Sequence, residues 1–103
     1  MIRADTLILI AESPGAHGVF DQPEEVRRTV YCRERSVGQT EAYQAKAAGL
    51  NPELKLILSH HFEYQQEKLC EYKGTRYRIL RTYINEGDEI ELTVQRVEGN
   101  AYV

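Results

Sequence analysis

Polar and apolar residues alternate along the last third of the chain, over residues 72–97. Alternation with a period of two is typical of half-buried strands. Two short turn signals, Lys73-Gly74 and residues 85–88, divide this stretch. The pattern therefore predicts three consecutive antiparallel strands that are joined by tight hairpins.

The two turns also predict a register. A two-residue loop at Lys73-Gly74 places Cys70 opposite Tyr77, and a four-residue loop at residues 85–88 places Tyr83 opposite Ile90. The other predicted pairs are Glu71 with Arg76 and Ile79 with Val94. On this register Tyr77, Ile79 and Tyr83 face the core. Arg81 shares their parity, so either a β-bulge turns it outward or it meets an acidic group at a barrel mouth.

Three more strands are predicted before these hairpins. Residues 6–12 are almost continuously apolar, which predicts cover on both faces, the outer one by a neighbouring subunit. Residues 26–35 alternate in polarity, and residues 54–64 place leucines and aromatic side chains on one parity. The Pro- and Gly-containing stretch 13–23 predicts a long exposed connection in which His17 is solvated.

Residues 36–52 have a different composition, rich in helix formers. Ser36 and Gln39 have the spacing of a capping box, Gly49 is placed to end the helix, and Pro52 prevents its continuation. We predict one helix over residues 39–48. Its best contact stripe is Tyr43, Ala47 and Leu50. So little apolar surface predicts a helix that is held lightly.

The second predicted strand carries a basic face formed by Arg27, Tyr31, Arg33 and Arg35. Arginines around a tyrosine are suited to single-stranded nucleic acid. The same arginines are also placed to pair with neighbouring carboxylates such as Glu89 and Glu91. Both interpretations stay open at this stage, and the face is a candidate interface in either.

The chain of 103 residues predicts a single domain over residues 1–103, with a frayed tail at 99–103. A net charge of −3 and a pI of about 5.6 disfavour a protein whose main task is gripping phosphates. The apolar run at residues 7–11 is too short for a secretory signal or a membrane span. Cys32 and Cys70 are predicted to be free and buried, with a disulfide or ligand pair as the alternative.

No catalytic motif, phosphate loop or paired catalytic carboxylates stand in the sequence. His60-His61 with Cys70 is the nearest approach to a metal site. Neighbouring strand residues point to opposite faces, so the two histidines are poorly placed to share one ion. We expect no cofactor, no metal and no enzymatic activity.

The residues VGQTEAYQAKAAGLNPE, a following strand ending in FEY, and then LCEYKGTRYRILRTY and GDEIELTVQRV resemble the head-closure (head–tail joining) proteins of tailed bacteriophages. The resemblance spans residues 6–97, and YKGTRYRILRTY is its most specific part. Residues 13–25 depart from the usual pattern, which leaves open which surface would meet the tail.

This resemblance implies a mainly β fold: a small, partly closed antiparallel β-barrel of about six strands, with one short α-helix between the second and third strands. It implies a homo-oligomeric ring, commonly of twelve subunits, between a portal-side adaptor protein and a tail protein, with DNA in its channel. Such a protein would be found in the bacterial host cytoplasm during assembly and then in the virion.

In such proteins the excursion after the second strand lies toward the channel, where it acts as a stopper. Carried onto this sequence, the candidate channel and gating residues are Ser36, Gln39, Glu41, Tyr43, Lys46 and Gly49. A small barrel that binds single-stranded nucleic acid is the alternative hypothesis, and it rests on the basic face.

Overall fold

The computed structural model describes residues 5–13 and 24–97. The long connection and the frayed tail predicted from the sequence lie outside the described residues. Within these described ranges, six strands, one α-helix and one short 3-10 helix follow one another in chain order. They are β1 (Asp5–Ser13), β2 (Glu24–Arg35), α1 (Gln39–Ala47), β3 (Leu54–Leu58), the 3-10 helix (His61–Glu63), β4 (Leu69–Tyr72), β5 (Thr75–Ile84) and β6 (Ile90–Arg96).

The six strands form a closed barrel in the order β1-β2-β3-β6-β5-β4, with every neighbouring pair antiparallel. The predicted fold class is confirmed, including the single helix between the second and third strands. β3 and β4 are consecutive in sequence but stand on opposite sides of the barrel. The chain between them, residues 59–68, is called here the end crossover because it runs from one side of the barrel to the other.

Alternate residues of all six strands fill the barrel interior. Leu9, Leu56 and Leu92 are among its fully buried members, and Cys32 and Cys70 lie in the same cluster. Both cysteines are free thiols, as predicted. Leucine, isoleucine and valine side chains occupy most of the remaining space, so burial of apolar surface accounts for the stability of the barrel.

The β4–β5 hairpin has the predicted register. Lys73 and Gly74 occupy the left-handed region at φ 50° and 80°, which is the signature of a two-residue type I′ turn. Cys70 pairs with Tyr77 and Glu71 with Arg76. Glycine at position 74 adopts this conformation without the steric cost that a β-carbon adds.

The β5–β6 hairpin differs from the prediction near its turn. Asn85 N–H donates to Glu89 C=O (2.9 Å), and Asp88 adopts φ 68°, so the loop has three residues instead of four. The pairing near the turn is therefore shifted by one residue, with Tyr83 opposite Glu91 on the outer face. The predicted burial of Tyr83 is wrong: its side chain is 57% exposed.

A β-bulge between Ile79 and Arg81 removes this shift farther along the hairpin. Ile79 pairs with Val94, as predicted, while Arg81 lies opposite Thr93 on the outer face. The first of the two explanations offered for Arg81, a bulge that turns it outward, is the one the structure adopts. The predicted loop was one residue too long, and the prediction also lacked the bulge. These two errors offset each other at Ile79, so the pairing of Ile79 with Val94 was predicted correctly.

The third strand is shorter than predicted. β3 ends at Leu58, and residues 59–64 form a bend and the 3-10 helix instead of continuing the strand. The His61 N–H donates to the Asp88 carbonyl (2.8 Å), which draws the chain toward the β5–β6 turn. Phe62 is consequently 67% exposed instead of facing the core. Alternation alone does not reveal where a strand must leave the barrel wall to cross its end.

Candidate functional site

The candidate basic face lies on the outer side of β2, and each of its three arginines is paired with a carboxylate. The Arg27 guanidinium lies 3.2 Å from the Glu71 carboxylate, and the Arg35 guanidinium lies 3.3 Å from that of Glu91. Arg33 pairs with Glu89, and Arg27 also reaches Glu25. Tyr31 stands between the arginines and is 69% exposed. The face is therefore close to charge-neutral.

These ion pairs cross the strands that flank β2. Arg27 reaches over β1 to Glu71 on β4, and Arg33 reaches over β3 to Glu89, which immediately precedes β6. Ile10 of β1 and Ile57 of β3 point outward in the same parts of the wall, yet they are only 1% and 2% exposed. Long charged side chains cover apolar surface with their stems and leave their heads in water.

This cover bears on the expectation that a neighbouring subunit buries the outer face of β1. Ile10 is already buried within the single chain. It lies beside the Arg27–Glu71 ion pair and shares the lining of a small cavity with residues 66–69. The apolar run of β1 is thus satisfied without a second copy. It gives no independent support for a ring.

The helix is fixed to the outside of the barrel by one acidic side chain, Glu41. Its carboxylate lies 2.6 Å from the Lys55 ammonium and 3.7 Å from the Arg81 guanidinium, and it accepts a hydrogen bond from the Thr93 hydroxyl (3.4 Å). These partners lie on the outer face of three neighbouring strands. The hydrogen bond from Lys55 is the main reason that the pKa of Glu41 is lowered from its ordinary value of 4.5.

The two helix ends differ from each other. Gly38 is the N-cap and no side chain caps the helix, so the capping box predicted for Ser36 and Gln39 is wrong. At the other end Gly49 has φ 84°, its N–H donates to Lys46 C=O, and Leu50 N–H donates to Ala45 C=O. This pair of bonds is a Schellman motif, which is the helix end predicted at Gly49.

Most of the candidate channel and gating residues face solvent. Ser36, Gln39, Lys46 and Gly49 are exposed, and Tyr43 is the most exposed large apolar side chain of the described residues, at 79%. The predicted contact stripe is wrong for Tyr43 and Ala47, which are exposed, and correct for Leu50. Leu50 lines a cavity of about 210 Å³ between helix and barrel, together with Ala45, Ala48 and Leu80.

The helix itself has no buried residue. The predicted light attachment is therefore visible in the packing, which consists of a cluster of ion pairs around Glu41 and an adjoining cavity. The Glu41–Ala45–Ala48 spacing, which is i, i+4, i+7, was the available signal for this face. It was missed because alanines and a glutamate do not register as an apolar stripe.

A second polar cluster, which the sequence did not suggest, closes one end of the barrel. Glu67 is 4% exposed and pairs with the Arg28 guanidinium, and its carboxylate also accepts a hydrogen bond from the Gln65 N–H (2.8 Å). The Arg28 guanidinium donates in addition to the Glu63 carbonyl (2.7 Å), and Tyr64 donates to the Glu67 carbonyl (2.6 Å). Together these bonds hold the end crossover in place.

The opposite end of the barrel holds a buried tyrosine. The Tyr72 hydroxyl lies 3.0 Å from the Asp5 carboxylate and 2.9 Å from that of Glu34. Burial, followed by these two acceptors, raises the pKa of Tyr72 well above its ordinary value of 10.0. A phenol donates only one proton, so it bonds one carboxylate at a time.

The thiols and histidines offer no reactive centre. Burial raises the pKa of Cys32 to about 11 and that of Cys70 to about 12, so both stay protonated at neutral pH. His60 stacks on Phe62, and His61 Nδ1 lies 3.3 Å from the Asp88 carboxylate. Neither histidine lies in a strand, so the predicted strand geometry was the wrong reason for doubting a shared ion. Within residues 5–13 and 24–97, no group of three or more His, Cys, Asp or Glu side chains is arranged so that it could hold a metal ion.

Comparison with known proteins does not assign the chain to a family. No family model matches it, and no curated protein matches it either. None of the helices that the structure describes is long and apolar enough to cross a membrane.

Proposed function

We propose that this protein is a structural component of a phage or prophage virion. It would form a ring in the head–tail connector that closes the DNA-filled capsid and offers an attachment surface to the tail. The observation that carries the proposal is the position of the helix. A six-strand antiparallel barrel with a single helical excursion between β2 and β3 is the arrangement that the sequence resemblance implies.

The proposed partners follow from the same resemblance. They are further copies of this chain, in a ring that commonly has twelve subunits in the proteins it resembles, a portal-side adaptor protein and a tail protein. DNA would pass through the channel without tight sequence-specific binding. The protein would occupy the bacterial host cytoplasm before assembly and the head–tail interface of the virion afterwards.

The attachment of the helix supports a gating role for residues 36–52. A segment that lines a channel in one state and crosses it in another needs two arrangements of similar energy. Helix α1 has no buried residue and is held by ionic contacts of Glu41, which cost less to break than a packed apolar face. Glycines at positions 38 and 49 flank the helix and suit a hinged segment.

The alternative, a barrel that binds single-stranded nucleic acid, receives little support from the basic face. Tight binding requires cationic groups that are free to replace counterions on phosphates. Arg27, Arg33 and Arg35 are each paired with a glutamate. We therefore expect weak, salt-sensitive association, whereas a channel wall of this composition lets DNA slide.

We propose no catalytic activity. The barrel interior is filled by leucine, isoleucine, valine, tyrosine and cysteine side chains, and both thiols have a raised pKa. The polar clusters at the two barrel ends are explained by closure of the barrel.

The test uses the phage or prophage that encodes the chain. Portal, capsid and tail genes beside it are expected, and disruption of its gene should give filled heads that lack tails and lose DNA. Replacing residues 39–48 with a short Gly-Ser segment should keep the barrel folded and the ring assembled but let packaged DNA leak. Tailed particles that form without the protein would overturn the proposed function, whereas particles that retain DNA after the segment replacement would remove only the gating role.

A further inference from the structure

Among residues 5–13 and 24–97, two strands of the closed barrel have edges without a neighbour. β3 ends at Leu58, so no described strand pairs with β2 on its β3 side over residues 24–31. β4 begins at Leu69, which pairs with Arg78, so β5 has no partner on its β4 side beyond Ile79. We call these stretches the β2 edge (residues 24–31) and the β5 edge (residues 80–84).

The direction of the backbone groups on each edge follows from the observed hydrogen bonds. The Ile79 N–H donates to Lys68 C=O, and the Asn85 N–H donates to Glu89 C=O. In an antiparallel ladder successive residues point to opposite sides. Thr82 and Ile84 therefore direct their N–H and C=O groups away from β6.

The same alternation, followed around the closed barrel, directs the peptide groups of residues 25, 27, 29 and 31 away from β1. No other described residue forms a backbone hydrogen bond to the β2 edge or to Thr82 and Ile84. Unpaired peptide groups on an exposed strand are a template for another chain. Both edges are therefore competent to receive a strand.

The exposed apolar side chains concentrate on these same edges. Val26 and Tyr31 are 49% and 69% exposed, and Tyr83 and Ile84 are 57% and 51% exposed. These four residues make up more than half of the exposed large apolar side chains of the described part of the chain, which also include Tyr43, Leu50 and Phe62. Apolar residues beside unpaired backbone indicate a surface that is covered in an assembly.

We propose that copies of this chain associate head to tail, with the β2 edge of one copy paired antiparallel to the β5 edge of the next. β2 and β5 run in opposite directions, and their free edges lie at the same end of the barrel on opposite sides. Copies related by rotation about an axis parallel to the barrel therefore meet through these two edges. A head-to-tail contact of this type gives a ring when the rotation between copies closes, which is the geometry that the proposed function requires.

The partner is a second copy because the two edges of this chain run antiparallel to each other and a head-to-tail contact covers both of them in every molecule. Pairing of two β2 edges about a two-fold axis would leave each β5 edge open and would give only a dimer. The register that sets Thr82 opposite Thr29 aligns the free peptide groups and places Tyr83 opposite Arg28. A shift of two residues toward Arg27 would instead oppose Arg81 to Arg28, which is unfavourable.

This inference deepens the proposed function, since it names the contact between ring subunits, and it is tested on the isolated protein. Thr29→Pro and Thr82→Pro each remove one outward N–H that no barrel neighbour uses. Each should weaken self-association roughly tenfold or more, as measured by analytical ultracentrifugation over a concentration series. Thr29→Val and Thr82→Val keep the N–H and should associate like the original protein.

Mixing the two proline variants separates the possible geometries. Each variant alone retains one intact edge and should be largely monomeric at concentrations where the original protein associates, while an equal mixture should form a dimer and nothing larger. A Thr82→Pro variant that associates normally would overturn the proposal in favour of a β2–β2 contact. An original protein that stays monomeric up to its solubility limit would overturn it as well.

Cysteine cross-linking gives a second measurement if a proline variant does not fold. A mixture of Thr29→Cys and Thr82→Cys proteins should form a mixed disulfide between positions 29 and 82, with little 29–29 product. Predominant 29–29 product would contradict the head-to-tail contact. Virions that still need the protein after such a result would leave the proposed function standing and remove only this interface.

Discussion

Two long connections are attached to this barrel through different side-chain contacts. The helical connection, residues 36–53, runs outside the wall between the neighbouring strands β2 and β3, and the end crossover, residues 59–68, spans the barrel end from β3 to β4. Each has one glutamate whose carboxylate pairs with basic side chains of the barrel strands, Glu41 in the first and Glu67 in the second. The contrast between these two anchors indicates which segment can move without unfolding the barrel.

The difference lies in burial. Glu67 is 4% exposed and bonds a guanidinium and a backbone N–H, so removing it leaves Arg28 partly buried without its partner. The Glu41 side chain is 18% exposed, and if it leaves, Lys55 keeps a second carboxylate partner, Glu91 (3.5 Å), while the Arg81 side chain is 63% exposed. Breaking the first anchor should cost global stability, whereas breaking the second should release the helix alone.

The largest expected effect is at the end crossover. Glu67→Ala should lower the free energy of unfolding by about 3 kcal/mol, because a buried ion pair and a hydrogen bond to Gln65 are lost together. Urea unfolding at neutral pH measures the change. Glu63→Ala is the matched control, since the barrel-closing contact of Glu63 uses its carbonyl and not its carboxylate. Equal losses in both variants would show that Glu67 is no anchor.

A smaller effect is expected at the end of the helix. Gly49→Ala forces a β-carbon into the left-handed region at φ 84° and should cost about 1 kcal/mol. The cost should appear as faster amide exchange within α1, with little change in the exchange of β6. Gly87→Ala, at a turn glycine without positive φ, is the control. Equal destabilisation of the barrel strands would mean that the helix is coupled to the wall more tightly than its contacts indicate.

The ionic anchor of the helix should matter less still. Glu41→Gln removes the charge that attracts Lys55 and Arg81, and we expect a loss of about 0.5–1 kcal/mol, which is confined to helix docking. Backbone chemical shifts of residues 39–47 would report the undocked population. Lys46→Gln alters a charge on the same helix outside this cluster and should leave the shifts unchanged. A loss of global stability as large as that of Glu67→Ala would contradict the distinction between the helical connection and the end crossover.

The smallest effect is a pH dependence of the same docking. The pKa of Glu41 is lowered in the folded protein, so its stabilisation is fully present above the ordinary value of 4.5 and is lost as the pH falls through the folded value. The helix resonances should therefore shift in acid and stay constant in Glu41→Gln. The pKa values of Glu25 and Glu89, which lie outside the helix, are also lowered. Their resonances therefore serve as an internal reference for acid effects that do not involve the helix. Identical acid transitions in the two proteins would exclude Glu41 as the responsible group.

Local signals predicted much of this architecture. The Lys73-Gly74 turn specifies its own backbone conformation, so the β4–β5 register was correct. Gly49 likewise marks the end of the helix, because a left-handed residue terminates it regardless of the surroundings. Six strands and one helix followed from changes in periodicity and composition.

The candidate site was predicted less well. The arginines of the basic face were located, and Glu89 and Glu91 were named as possible partners, yet Arg28 and Glu67 were not singled out. The pairing of Arg28 with Glu67 joins residues 39 positions apart, and no local pattern encodes it. The helix contact face was missed because an acidic anchor and two alanines carry no hydrophobic signal.

By itself, then, the sequence determined the elements whose conformation is set within a few residues: the alternating strands, the type I′ turn and the glycine that ends the helix. Only the tertiary structure decided the bulge that turns Arg81 and Tyr83 outward, the early end of β3, and the ion pairs that cover Ile10 and Ile57. The physical reason is closure. A barrel wall must return to its first strand, and the bulge, the crossover and the outer ion pairs accommodate that constraint between residues far apart in the chain.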